Sequence, residues 1–117
     1  MHLNHLNLTV TDVPATVALL EAHFGMRRVP GYPATDGMSF LKDDAGFLLS
    51  LFRGRDVQYP KGFHVGFIRP SVEEVEAIHA RLSAAGLAVP PLREEHGRVT
   101  FYFDSPGGFV IEVEAFR

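Results

Sequence analysis

The stretch HLNLTVTDV (residues 5–13) returns in altered form as HVGFIRPSV (residues 64–72), at an offset of 59, half the length of the chain. In the first copy Leu6, Leu8 and Val10 alternate with His5, Asn7 and Thr9. Side chains on a strand alternate between faces, so this is a strand with one aliphatic and one polar face. Asp12 then reads as a helix N-cap with Pro14 in the first turn. Val13, Val17, Leu20 and Phe24 follow at helical spacing, and Gly25 is a stop. In the second copy His64 and Gly66 share one face of a strand, and Phe63, Val65 and Phe67 the other. Ser71 caps a second helix with Glu73 and Glu74 in its first turn, where the helix dipole favours anions. Val72, Val75, Ile78, His79 and Leu82 form its buried stripe, and Gly86 ends it.

The likeness continues beyond the helices. Residues 27–29 read as a short strand, and 38–42 and 47–52 as two strands around the turn Asp43-Asp44-Ala45-Gly46. Residues 54–62, polar and holding Pro60, read as a linker. In the second half, 88–92 is expected as an edge strand because it holds Pro90 and Pro91. Residues 99–103 and 109–115 read as strands around Asp104-Ser105-Pro106-Gly107-Gly108. The order strand, helix, three strands is thus written twice, which predicts an α+β fold of two βαβββ modules. Module one is expected over residues 1–56 and module two over 57–117, in a single domain of residues 1–117. A half-open sheet covered on one side by a helix needs a second cover. The two sheets are therefore expected to close, with pseudo-twofold symmetry, into a barrel-like cleft.

Composition bounds the chemistry. The chain has 117 residues, 46% apolar and 21% charged, and a net charge of −3. This is an ordinary globular composition for one domain. The absence of cysteine removes thiolate nucleophiles, cysteine zinc sites and iron–sulfur clusters. No basic stripe suits nucleic acid, and no apolar run approaches a membrane span. The opening MHLNHLNLTV alternates as a strand does, unlike a secretory leader. A cytoplasmic location is the expectation.

On this reading His5, His64 and Glu112 occupy inward faces of three strands. Glu112 lies between Ile111 and Val113, which face the helix, so its carboxyl points into the cleft with Val110 and Glu114. A strand histidine alone is as often a plain core residue. An unpaired buried carboxylate is harder to explain, because it costs several kcal/mol or titrates to neutral. Two imidazoles and a carboxylate meeting at a cavity make a divalent-metal site with open positions for a substrate oxygen or water.

LNHLNLTVTDV (3–13), FHVGF (63–67) and FYFDSPGGFVIEVE (101–114) together resemble the vicinal oxygen chelate superfamily, over essentially the whole chain. That group includes glyoxalase I, methylmalonyl-CoA epimerase, extradiol dioxygenases, fosfomycin-resistance thiol transferases and bleomycin-resistance proteins. The resemblance implies paired βαβββ modules, a metal held by His5, His64 and Glu112, and a homodimer whose sites are shared between subunits. The ion would be Fe, Mn, Ni or Zn. Glyoxalase I and the epimerase use a fourth protein ligand, and Ser50 stands at that position, which favours an open three-ligand site. Extradiol dioxygenases carry a tyrosine ten residues before the glutamate, as Tyr102 is here, but also a further histidine that residues 47–52 do not hold. The fosfomycin enzymes share the triad and the tyrosine. Dioxygenase, transferase or isomerase chemistry on a small substrate with neighbouring oxygens is therefore expected. The alternative is a metal-free ligand-sequestering protein of the bleomycin-resistance type.

Other residues carry lesser expectations. Tyr102 alternates with Phe101 and Phe103, so its ring should face the cleft, where it would orient substrate or act as an acid or base. Asn7 and Thr9 share the face of His5. Glu114 is a reserve ligand. Arg53, Arg55, Arg93 and Arg98 are placed in or near connecting segments, mostly solvated, one of them able to clamp an anion. His2 has no metal-like spacing to the others; His23 and His79 read as helix-face residues and His96 as a loop residue. Of ten phenylalanines, Phe24, Phe40, Phe63, Phe67, Phe101, Phe103 and Phe109 are expected in the core, and Phe47 and Phe52 lining the pocket.

Overall fold

The computed structural model describes residues 1–117 and divides into two compact units. The first comprises Met1–Gln58 with Pro106–Gly108, the second Tyr59–Ser105 with Phe109–Arg117.

In the first unit β1 (His5–Val10) leads into α1 (Val13–His23), then β2 (Arg27–Arg28), β3 (Met38–Lys42) and β4 (Leu48–Arg53). Asp12 caps α1 through its side chain, accepting from the Ala15 N–H at 3.0 Å. Gly25, at φ +67, leaves the helix through a conformation that side chains disfavour. The sheet order is β1-β4-β3-β2, with β1 parallel to β4 and the other pairs antiparallel. Leu8, Val10, Leu41, Leu49 and Leu51 are buried on the helix side with Val13, Val17 and Leu20 of α1. The polar side chains of β1 stand exposed on the other face.

The second unit repeats this plan. β5 (His64–Ile68) is followed by α2 (Val72–Ala84), β6 (Arg93–Glu95), β7 (Arg98–Asp104) and β8 (Val110–Phe116). Ser71 Oγ accepts from the Glu74 N–H at 3.3 Å, and Val75, Ile78 and Leu82 are the buried stripe. The order β5-β8-β7-β6 matches the first sheet strand for strand, again with a parallel first pair. Val99, Phe101, Phe103, Ile111, Val113 and Ala115 pack beneath α2, where the His79 ring meets Phe101 edge to face at 5.0 Å. Truncating such a side chain typically costs about 2–5 kcal/mol, so this layer fixes the strands that carry the opposite face.

The fold is α+β, two βαβββ modules, as expected. Three details differ. The sheets remain two separate four-stranded ladders, with no hydrogen-bonded closure into one barrel. Residues 88–92 lie outside the ladders, since Pro90 and Pro91 have no N–H to give; the edge strand is β6. Of the seven phenylalanines expected in the core, Phe101, Phe103 and Phe109 are buried, while Phe24, Phe40, Phe63 and Phe67 are only half-buried. Phe63 and Phe67 flank or belong to β5, the last strand of its sheet. Phe40 lies on the face opposite α1, where it meets Tyr32 and Phe52.

Candidate functional site

The face of the second sheet opposite α2 carries every other residue of three strands. β5 contributes His64 and Gly66, β8 contributes Glu112 and Glu114, and β7 contributes Arg98, Thr100 and Tyr102. The ladder sets Gly66 and Tyr102 on either side of Glu112, and Thr100 opposite Glu114.

Glu112 is 4% exposed and Glu114 7%, so both need partners. Glu112 Oε2 accepts from Thr100 Oγ1 at 2.7 Å and from Arg98 Nη1 at 3.0 Å. The same Arg98 nitrogen donates to Glu114 Oε2, and Nη2 reaches Glu95 Oε1 at 3.4 Å. Glu112 Oε1 is turned the other way and stands 3.1 Å from His64 Nε2. His64 Nδ1 stands 2.9 Å from the Gly62 carbonyl.

The surroundings set the charges. Burial works to raise the Glu112 carboxyl, but the hydrogen bonds from Thr100 and Tyr102 and the charge of Arg98 outweigh it and hold Glu112 below the ordinary carboxylate value. Burial, followed by the adjacent Glu112, pushes Glu114 up, and Arg98 offsets only part of this. The Tyr102 phenol is also pushed up, first by burial and then by its hydrogen bond to Glu112. It therefore keeps its proton and can donate it in a hydrogen bond at neutral pH.

Beside the His64–Glu112 pair lies a hollow of about 440 Å³, lined by Gly62, Phe63, His64, Arg93, Tyr102 and Val110. The Tyr102 ring meets His64 edge to face at 5.4 Å, and Arg93 Cζ lies 5.5 Å from the Tyr102 ring centroid, a cation–π arrangement.

The first unit shows what the equivalent positions become without a carboxylate. Ser50 holds the rung of Glu112, and Asn7 that of Gly66. Asn7 Nδ2 donates to Ser50 Oγ at 2.7 Å, closing a neutral pair. His5, exposed on this face, has Nδ1 2.8 Å from Asn4 Oδ1.

Of the residues singled out from the sequence, the second unit thus brings together His64, Glu112 and Tyr102. His5 belongs to the first unit. No three His, Asp or Glu side chains of the chain form a group able to hold a metal. Glu114 is committed to Arg98 rather than free as a ligand. His96 sits in the β6–β7 turn at φ +52, and His79 Nε2 is 2.7 Å from the Pro90 carbonyl. Three residues of the site go beyond the sequence reading: Arg98 and Arg93 are strand residues rather than residues of connecting segments, Arg98 largely shielded and Arg93 still exposed, and Thr100 is a buried hydroxyl. The alternation that put Tyr102 on this face extends back through Thr100 to Arg98, so the signal was present.

The His64–Glu112 pair fits a divalent cation. Both ring nitrogens face acceptors, whereas a neutral imidazole has one N–H. With the proton on Nδ1 and directed at Gly62, Nε2 presents a lone pair beside the Glu112 Oε1 carboxylate oxygen. Metal-bound histidines commonly hold their other nitrogen this way. Donors 3.1 Å apart are spaced as neighbouring ligands of an ion about 2.1 Å from each.

Comparison with known proteins agrees with this architecture. Residues 2–113 match the family model described as the Glyoxalase/Bleomycin resistance protein/Dioxygenase superfamily. A possible glyoxalase from Bacillus cereus is 44% identical over 97% of both chains, with a TM-score of 0.88. The fosfomycin resistance protein FosX from Listeria monocytogenes is 26% identical over 100% of this chain and 94% of its own, with a TM-score of 0.83. Lactoylglutathione lyase from Agrobacterium tumefaciens, 21% identical over 97% and 92%, shares the fold with a TM-score of 0.78. Comparison with curated proteins finds no match. On the family match and the Bacillus cereus relative, the chain belongs to the Glyoxalase/Bleomycin resistance protein/Dioxygenase superfamily.

Proposed function

We propose that the protein is a divalent-metal-dependent enzyme that binds a small substrate through two neighbouring oxygens, with dioxygenase, transferase or isomerase chemistry. His64, Glu112 and His5 are the proposed ligands, and the ion is Fe, Mn, Ni or Zn. The observation that carries this reading is the contact of His64 Nε2 with Glu112 Oε1 while Nδ1 faces the Gly62 carbonyl. FosX, a structural relative, has been crystallised with Mn(II). A bound ion would supply Lewis acidity toward the substrate oxygens. The chain's own residues do the rest. Thr100 and Arg98 hold Glu112 Oε2, so Oε1 stays directed at His64. Phe63, Val110 and the Tyr102 ring give the adjoining hollow apolar walls suited to a small substrate. The Tyr102 phenol, keeping its proton, is the proposed acid or base, exchanging its hydrogen bond to Glu112 for one to a substrate oxygen.

We further propose a homodimer with sites shared between subunits. β1 and β5 each end their sheet with one edge unpaired, and Ile68, on the His64 face, is 63% exposed. No helix is long and apolar enough to cross a membrane.

Metal analysis of protein purified without chelator tests the reading. About one ion per chain, lost on His5→Ala, His64→Ala and Glu112→Ala, is expected. The competing reading takes the His64–Glu112 contact as a plain ion pair in a ligand-sequestering protein. Folded protein that takes up no divalent ion yet binds small apolar ligands would establish that instead. Sedimentation should give the mass of two chains at micromolar concentration; one chain would end the shared-site proposal.

A further inference from the structure

Arg98 lies where the sequence suggests a solvated loop cation, yet its side chain is only 21% exposed and faces three carboxylates. Nη1 spans Glu112 Oε2 and Glu114 Oε2, while Nη2 reaches Glu95 on the neighbouring edge strand. Glu112 and Glu114 are two residues apart on one face of β8, both nearly inaccessible to water. One guanidinium between two carboxylates leaves that cluster with one net negative charge. The two Glu112 oxygens are treated unequally. Oε2 receives Thr100 and Arg98, and Oε1 stands before His64. Both bonds to β8 come from one nitrogen whose two N–H directions are fixed in the guanidinium plane, itself held by Nη2 on Glu95; a lysine ammonium is a point charge that rotates freely.

We infer that Arg98 is a positioning residue: by bridging Glu112 Oε2 and Glu114 Oε2 it presents only Glu112 Oε1 to the ion beside His64 and keeps Glu114 from coordinating. This rests on the metal-binding reading above. It goes beyond that reading by assigning the selection of one oxygen and one glutamate to a residue that touches neither ion nor substrate. Charge compensation alone is the competing explanation, and a charge-balanced replacement separates the two. Arg98→Met with Glu114→Gln removes one positive and one negative charge, so the net charge of the cluster is unchanged while the bridge is gone.

The experiment titrates Mn²⁺, by its electron paramagnetic resonance signal, into the wild type, the Arg98→Met/Glu114→Gln pair and Arg98→Lys. Thermal unfolding of each is followed in parallel. Loss of a partner that orients a ligand typically weakens a metal about ten- to hundredfold, and that loss is expected in the double variant without a matching fall in melting temperature. Arg98→Lys, which keeps the charge but not the fixed N–H directions, should be intermediate, and it carries the test alone if the double variant does not fold. Wild-type Mn²⁺ affinity in whichever variant is folded overturns the inference. If the wild type itself takes up no Mn²⁺, the metal reading fails separately, and a crystal structure of the folded variant decides. Glu112 Oε1 swung away from His64 sustains the positioning role; the 3.1 Å contact kept intact overturns it.

Discussion

Gly66 stands opposite Glu112 in the β5–β8 ladder, at the place where the first unit sets Asn7 against Ser50. In the first unit the Asn7 side chain covers its neighbour and ties it down. In the second, Gly66 has no side chain to lay against Glu112. A Cβ built on Gly66 would meet Glu112 Oε1 at 4.0 Å and nothing closer than 3.8 Å, which is ordinary contact. Gly66→Ala should therefore fold well and gain about 0.5 kcal/mol through the less free unfolded chain. Gly66→Leu reaches further over the carboxylate from an exposed position. It should leave urea stability near wild type while weakening Mn²⁺ binding more than tenfold. Undiminished Mn²⁺ binding in Gly66→Leu would show that the ion does not reach Glu112 across Gly66.

The two contacts of His64 also make a prediction for the protein before any ion is added. The Gly62 carbonyl, 2.9 Å from Nδ1, can only accept, so the neutral ring should carry its proton on Nδ1. Nitrogen NMR of metal-free protein at alkaline pH should show this tautomer for His64. Added Zn²⁺ should then shift the Nε2 resonance and leave the Nδ1 proton in place. An Nε2-protonated ring would mean that the lone pair points away from Glu112.

The opposite shifts of Glu112 and Glu114 give their amide replacements opposite pH profiles. Glu112 is held below the ordinary glutamate value of 4.5. Its ionisation therefore contributes stability that is present above that value and is lost as pH falls through the lower, folded one. The deficit of Glu112→Gln relative to wild type should be widest at neutral pH and close only in strong acid. Glu114 is raised above 4.5, so its stabilising term is present below that value and lost as pH rises through the folded one. Glu114→Gln should accordingly improve, relative to wild type, as pH rises across that interval. Urea unfolding of the three proteins from acid to neutral pH measures both slopes. Parallel profiles would refute the assignment.

Much of this arrangement could be read from residue order. His5 and His64 mark the same rung because aliphatic alternation and a capping residue follow each. Ser50 and Glu112 likewise share a rung, although the two copies differ in length between the helix and the last strand. What escaped detection lacked a periodic apolar signal. β6 is Arg93-Glu94-Glu95, three charged residues recognisable as a strand only by pairing with β7. Arg98 opens β7 beside a glycine turn, where an arginine ordinarily faces water; its partners lie on β8 and β6, distant in sequence or across the turn. Phe40 and Phe67 satisfy the core pattern in type, but one faces away from the helix and the other sits on a terminal strand. Alternation identifies two faces; which face is covered is decided by tertiary packing.

A last prediction concerns the first unit, where Gly54 follows β4 and donates its N–H to the Val10 carbonyl at 2.9 Å. A Cβ at residue 54 would fall 2.2 Å from Thr9 Cγ2 and 3.3 Å from Val57 Cγ2. The first distance is a clash, so either the Thr9 side chain turns or the backbone leaves β1. Overpacking of this kind typically costs about 1–3 kcal/mol, and Gly54→Ala should be destabilised by that amount in urea unfolding. The offending atom is a methyl that serine does not have. Thr9→Ser by itself should cost well under 1 kcal/mol at this exposed strand position. Combined with Gly54→Ala it should restore most of the lost stability, so the two substitutions couple by about 1 kcal/mol or more. Additive effects would mean that residue 54 needs glycine for its backbone and not for the space beside Thr9.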